Sequence, residues 1–207
     1  KFEVEAPLIA HSRKAGHFVI VRVGEKGERI PLTIAASDVT KGTITIVIQA
    51  VGGSSRKICN LNVGDYITDV VGPLGQATHI EKYGTVICAG GGVGIAPMLP
   101  IIEAMKKAGN KVISVLAART KDLVILEEQV AQYSDEVIVM TDDGSHGTKG
   151  LVTNGVEMVI NREKVDLCVT IGPAIMMKFV SLLTQKYNIP TMAWLTAQVC
   201  VELVALQ

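Results

Sequence analysis

Two hydrophobic rhythms share this chain, and no single sheet accommodates both. Thr43-Ile44-Thr45-Ile46-Val47-Ile48-Gln49 alternates almost residue by residue and places Ile44, Ile46 and Ile48 on one face. That is the period of a strand with one buried side. Val86-Ile87-Cys88-Ala89 and the segments 111–117, 136–141 and 166–171 are instead near-continuous apolar runs, as strands covered on both faces require. The rhythm changes between Glu81 and Tyr83, which predicts two domains, 1–81 and 82–192, followed by a tail at 193–207.

The first half reads as β structure. Strands are expected at 17–23, ended by Gly24, and at 30–35, 43–49 and 66–71, with one short helix over 54–61. Short strands at this spacing, punctuated by Gly, Asp and Pro, predict a small antiparallel β-barrel. In the second half, strands alternate with predicted helices at 95–108, 122–133 and 173–187. Ile95, Met98, Leu99, Ile102 and Met105 form one apolar stripe, and Glu103, Lys106 and Lys107 lie opposite. Such a helix covers a sheet, so this half is a parallel-sheet α/β domain of the half-Rossmann kind.

Composition narrows the function. With 20 basic and 20 acidic residues, no positive excess is available to neutralise phosphates, which argues against nucleic acid as a partner. A content of 48% hydrophobic against 19% charged residues supports packed cores rather than disorder. No apolar run reaches the roughly 18 residues of a membrane span, and the start at Lys1 has no signal-peptide pattern. Cys59, Cys88, Cys168 and Cys200 are widely spaced, as expected for reduced thiols of a cytoplasmic protein. His11, His17, His79 and His146 show no metal-ligand spacing.

The strongest motif is Val86-Ile87-Cys88-Ala89-Gly90-Gly91-Gly92-Val93-Gly94-Ile95-Ala96-Pro97, a strand, a glycine turn and a helix start. Glycines admit positive φ and remove the Cβ that would hold a ligand away, and the helix start offers free N–H groups to a phosphate. A tight structural turn is the plain alternative. The spacing is not G-x-G-x-x-G, and Ala117-Ala118-Arg119-Thr120 stands where a ribose-binding acid would follow the second strand. Gln49-Ala50-Val51-Gly52-Gly53-Ser54-Ser55 ends a strand and opens the short helix, so it is either an N-cap or a diphosphate cradle. Asp142 and Asp143, adjacent and without further ligands, read as loop solvation rather than a metal site.

The order of these motifs resembles the ferredoxin–NADP reductase superfamily. Gly27-Glu28-Arg29-Ile30-Pro31-Leu32-Thr33-Ile34, Gly72-Pro73-Leu74-Gly75 and Ala118-Arg119-Thr120-Lys121-Asp122-Leu123 are similar to one branch of it. So are Thr141-Asp142-Asp143-Gly144-Ser145 and Ile171-Gly172-Pro173-Ala174-Ile175-Met176-Met177-Lys178. That branch holds small flavin subunits of NADH-dependent ferredoxin:NADP+ oxidoreductases and sulfide dehydrogenases, with dihydroorotate dehydrogenase electron-transfer subunits as cousins.

The resemblance implies FAD in the barrel, held by Arg29, Pro31, Leu32, Thr33, Gln49, Gly52, Gly53, Ser54 and Ser55, the guanidinium on the diphosphate and Thr33 near the flavin ring. It implies NAD(H) or NADP(H) at Gly90, Gly91, Gly92, Val93, Gly94, Ala118, Arg119, Thr120, Asp142, Asp143, Gly144, Gly172, Pro173 and Met176, although Met176 also reads as packing. Hydride passes directly between two cofactors, so no side chain is expected to act as a general acid or base. The expected activity is that of an NAD(P)H-dependent flavin oxidoreductase subunit. In the family it relays electrons through a [2Fe–2S] centre to a larger flavin and iron–sulfur partner. R-I-P-L-T is one residue longer than the common R-x-Y-S and lacks its tyrosine, which keeps a non-catalytic nucleotide-binding or interaction subunit as one alternative; the resemblance leaves the electron-transfer subunit of a dihydroorotate dehydrogenase as the other.

The family's cluster segment opens M-V-D-G-T-G-M-C-G-A-C-R-V-T, whereas residues 194–207 read W-L-T-A-Q-V-C-V-E-L-V-A-L-Q and keep only Cys200. A lone thiolate does not hold a cluster that takes four, so the chain is expected to lack it. With synonymous codons chosen for the family segment, translation from its second base yields the observed residues 194–207 without a mismatch. A frameshift is the expected origin, a native apolar strand or helix the alternative, and the encoding DNA distinguishes them.

Overall fold

The structure, a computed structural model, describes residues 1–194. The chain divides into two compact units, Lys1–Thr78 and a second beginning at His79.

In the first unit the strands are β1 (Phe2–Glu5), β2 (Phe18–Arg22), β3 (Ile30–Asp38), β4 (Thr43–Ile46) and β5 (Asp69–Leu74). They pair antiparallel in the order β1-β4-β3-β2-β5, so the expected barrel is a five-stranded half-barrel sheet. Alternation sorts the side chains. Val19, Val21, Leu32, Ile34, Ile44 and Ile46 enter one core with Ile9 and Ala10 of α1 (Pro7–Ser12) and Ile58 of α2 (Gly53–Cys59). The helix α1 was not expected, and the strand predicted over 43–49 stops at Ile46. The strand predicted over 66–71 runs instead from Asp69 to Leu74.

The second unit holds β6 (Thr85–Gly91), α3 (Ile95–Lys107), β7 (Lys111–Ala118), α4 (Glu127–Ala131), β8 (Glu136–Thr141) and β9 (Thr148–Lys149). The chain continues with α5 (Val152–Ile160), β10 (Leu167–Ile171), α6 (Ala174–Lys186) and β11 (Thr191–Trp194). The sheet is parallel throughout, in the order β11-β10-β6-β7-β8-β9. Ile87, Ala89, Ile113, Val115, Ile138, Met140 and Cys168 pack on Val152, Val156 and Val159 of α5 and Val180 of α6. Helix α3 lies on β6 and β7 and buries Ile95, Met98, Ile101, Ile102 and Met105, with Leu99 only partly covered.

Three expectations change here. The helix predicted over 122–133 is a 3-10 turn at Lys121–Leu123 and the short α4, separated at Leu126, which has φ 58°. The helix α5 has no counterpart among the elements the sequence pattern predicts. The tail expected from 193 begins inside β11, where Ala193 and Trp194 pair with Thr170 and Ile171. The rest of that tail, including Cys200, lies outside the described residues. No helix among the described residues is long and apolar enough to cross a membrane.

Candidate functional site

In the first unit β3 sets the geometry. Its alternation turns Leu32 and Ile34 into the core, so Arg29, Pro31 and Thr33 share the opposite register. The side chain of Leu32 is therefore core, and only its backbone faces the Thr33 side. Arg29 is 65% exposed, and its Nη2 lies 3.6 Å from Oδ2 of Asp69. That same oxygen accepts a 2.6 Å hydrogen bond from Nε of Arg22. The Arg22 hydrogen bond holds the Asp69 carboxyl below the usual carboxylate range.

The start of α2 lies beside this group, because the Ser54 hydroxyl donates to the Glu28 carboxylate next to Arg29. Ser55 has a different role. Its Oγ accepts from the amides of Val51 (3.1 Å) and Gly52 (2.9 Å), so the hydroxyl caps the turn into the helix. Gln49, Gly52 and Gly53 are exposed, and a Cβ built on Gly53 meets nothing within 4 Å. An open backbone segment next to an exposed guanidinium suits a phosphate oxygen. Arg22 and Asp69 were not anticipated. Their signal is a pairing across 47 residues of sequence, which no local pattern carries.

In the second unit the chain runs from β6 outward to β8 and then returns to β10 on the other side of β6. Parallel sheets bind ligands at the carboxyl ends of strands beside such a reversal. The loops after β6 and β10 meet there. A Cβ at Gly94 would stand 2.6 Å from the Ile171 carbonyl oxygen and 2.8 Å from Cα of Gly172. One at Gly91 would collide with the sulfur of Met176, and one at Gly172 would lie 2.7 Å from Cε of Met176. Gly90 is closed in by Ile95 and Met98. Four of the glycines expected at the nucleotide thus serve loop-to-loop and loop-to-helix packing. Gly92 differs: its φ is +54° and an added Cβ meets nothing within 4 Å. Val93 is half-buried, Pro173 is exposed, and Met176 joins the two loops.

The loops after β7 and β8 are fastened together. The amide of Asp142 donates to the Ala118 carbonyl (3.1 Å) and that of Asp143 to the Arg119 carbonyl (3.3 Å). Ser145 Oγ accepts from the Lys121 amide (2.8 Å) and donates to Oδ1 of Asp143 (2.7 Å). These Ser145 hydrogen bonds lower the Asp143 pKa. Asp143 is therefore a loop tie, while Asp142, Gly144 and Arg119 remain exposed. Thr120 precedes the 3-10 turn in extended backbone. Ser145 is a positioning group absent from the sequence-predicted site, and its signal is the Asp-x-Ser turn signature. His146 Nε2 lies 2.8 Å from Oε2 of Glu127, which ties the same loop to α4.

Residues 88–182 match the oxidoreductase NAD-binding domain family. The dihydroorotate dehydrogenase B (NAD(+)) electron transfer subunit homolog of Thermotoga maritima is 43% identical over 91% of this chain and 67% of its own length. The dihydroorotate dehydrogenase B electron transfer subunit of Desulforamulus reducens is 31% identical over 91% of the chain and 73% of its own. Among solved structures, that of an NADH-dependent reduced ferredoxin-NADP oxidoreductase, determined for insight into flavin-based electron bifurcation, superimposes with a TM-score of 0.89. It is 41% identical over 94% of this chain and 70% of that one.

Proposed function

The chain belongs to the ferredoxin–NADP reductase superfamily, in the branch of the dihydroorotate dehydrogenase electron-transfer subunits, and we propose that it is a flavoprotein oxidoreductase subunit that moves hydride between NAD(P)H and FAD. FAD supplies the redox chemistry, accepting a hydride and able to release single electrons. The chain's own residues bind, orient and exclude water.

Arg29 holds diphosphate oxygens beside the open backbone at Gly52 and Gly53, and Thr33 lies on the same side of β3 for the ring. Pro31 shapes that side, Leu32 offers backbone, and Gln49, Ser54 and Ser55 build the adjoining turn. In the second unit Gly92 and Val93 face the nucleotide diphosphate. Gly90, Gly91, Gly94, Gly172, Pro173 and Met176 form the floor beneath it. Ala118, Arg119, Thr120, Asp142, Asp143 and Gly144 line the loops to one side.

The observation that carries this reading is Gly92, a left-handed glycine with free space around it at the carboxyl edge of a parallel sheet. The relatives bear names with different downstream acceptors, so the proposal commits to the shared hydride half-reaction. NADH is the favoured nucleotide, in keeping with the NADH-dependent relative. A larger flavin and iron–sulfur subunit is the proposed partner, and the cytoplasm the proposed location. Residues 194–207 offer one cysteine, so this chain is proposed to carry no [2Fe–2S] cluster of its own.

A visible spectrum of the purified chain, before and after anaerobic addition of NADH or NADPH, tests the reading. The expected protein is yellow and bleaches with nucleotide, faster with NADH. A colourless protein that takes up no added FAD overturns it. Bound flavin that neither nucleotide bleaches favours the non-catalytic nucleotide-binding subunit, whose support is the longer R-I-P-L-T spacing.

A further inference from the structure

We propose that Asp69 is a positioning residue for flavin diphosphate binding, holding Arg29 ready while Arg22 compensates its charge; this rests on the assignment of Arg29 to FAD. Strand pairing brings the three together. Arg22 ends β2 opposite Asp69 at the start of β5, and Val21 pairs with Ile30, the residue after Arg29. All three thus stand at one end of three neighbouring strands.

Their bonding is unequal. Arg22 makes two hydrogen bonds, from Nε to Oδ2 of Asp69 at 2.6 Å and from Nη1 to the Glu25 carbonyl at 2.8 Å. Arg29 touches the same carboxylate oxygen through Nη2 alone, at 3.6 Å, and remains largely exposed. One arm of its guanidinium is therefore steadied, while the side chain stays 65% exposed to an incoming anion. A long side chain loses considerable rotamer freedom when it is fixed at a ligand, and a resting contact reduces that loss. Asp69 can hold Arg29 without cancelling it, because the group of three keeps one net positive charge.

The two explanations for Asp69 differ in sign. If its charge acted only through the local field, Asp69→Asn would add positive potential and tighten FAD. If it positions Arg29, the same substitution weakens FAD about tenfold in spite of the added charge. Riboflavin, which has no phosphate, is expected to bind unchanged.

The experiment titrates the flavin-stripped full chain with FAD and with riboflavin, following flavin fluorescence, for wild type, Asp69→Asn, Arg29→Ala and the double variant. The expected result is weaker FAD in each single variant, riboflavin unaltered, and no further loss when Asp69→Asn is added to Arg29→Ala. Asp69→Glu keeps the charge but displaces it and should fall between wild type and Asp69→Asn; it carries the test alone if Asp69→Asn does not fold. Unchanged or tighter FAD binding in both Asp69 variants overturns the positioning role and leaves the Arg29 assignment standing. Equal losses for FAD and riboflavin also overturn it, since a general strut would produce them. FAD affinity unaltered by Arg29→Ala removes the Arg29 assignment itself, and the role of Asp69 with it.

Discussion

Met176 packs its sulfur into the space that any side chain at Gly91 would need. The thioether thereby closes the joint between the loop after β6 and the loop after β10. The neighbouring glycines meet different obstacles, which predicts a ranking. Gly91→Ala presses on a flexible side chain and should cost about 1 kcal/mol. Gly92→Ala meets no neighbour but must hold a left-handed backbone, again about 1 kcal/mol. Gly94→Ala drives a methyl group against the backbone of Ile171 and Gly172, which cannot rotate aside, and should cost roughly 3 kcal/mol. Denaturant unfolding of the three variants checks the order. Nucleotide affinity adds a second axis, since Gly92→Ala should weaken it more than its stability loss implies.

Asn110 is 3% exposed and satisfies its whole side-chain amide. Oδ1 accepts from the amides of Tyr83 (2.7 Å) and Gly84 (3.0 Å), and Nδ2 donates to the carbonyls of Glu81 (2.8 Å) and Met105 (2.9 Å). It pins the entry to β6 against the end of α3. Asn110→Ala leaves these backbone groups without partners and should destabilise the protein by roughly 2–4 kcal/mol. Asn110→Asp should also be harmful, because a carboxylate serves the two amides but confronts two carbonyl oxygens. Thermal unfolding of both variants measures this.

Acid should unfold the chain through a small set of carboxyls. Hydrogen bonds from Arg22, Lys106 and Lys164 hold Asp69, Asp135 and Asp166 below their ordinary values. For a folded pKa lowered in this way, the unfolded chain binds the proton more readily. The stability these groups give is therefore complete above the unfolded Asp value of about 4 and lost as pH falls toward the lowered folded values. The denaturant midpoint should be level with respect to these groups from pH 7 to about pH 5 and then decline. Asp135→Asn should begin less stable and show a shallower acid limb, since Asp135 accepts from both Lys106 and the Val112 amide.

The parts of the fold that were legible are those in which a local pattern and the final packing agree. Ile44 and Ile46 point inward as their alternation says, and β6, β7, β8 and β10 are nearly continuous apolar runs because they are covered on both sides. The helix α5 was hidden because V-T-N-G-V-E-M-V-I is rich in β-branched residues and contains Gly155, a poor helical prospect by propensity. Packing overrides propensity there. A Cβ at Gly155 would stand 2.7 Å from Val115 Cγ1, so the glycine lets the helix press onto the sheet.

The glycine turn is legible from its place between an apolar strand and an amphipathic helix, but the division of labour within it is not. Whether a glycine gives way to a ligand or to Met176 depends on a loop that arrives much later in the chain. Ser55 shows the same limit. Its place at a helix start was readable, yet only the structure shows its hydroxyl already engaged by Val51 and Gly52.

The order β11-β10-β6-β7 has a consequence for folding in time. The turn at Gly90 to Gly94 is made early along the chain, but the backbone it leans on, Ile171 and Gly172, is made late. Non-local closure of this kind is slow relative to the formation of helices and turns. A nascent chain that stops short of β10 therefore carries the glycine motif without its footing, and the proposed nucleotide site is complete only once the sheet has been closed across its centre.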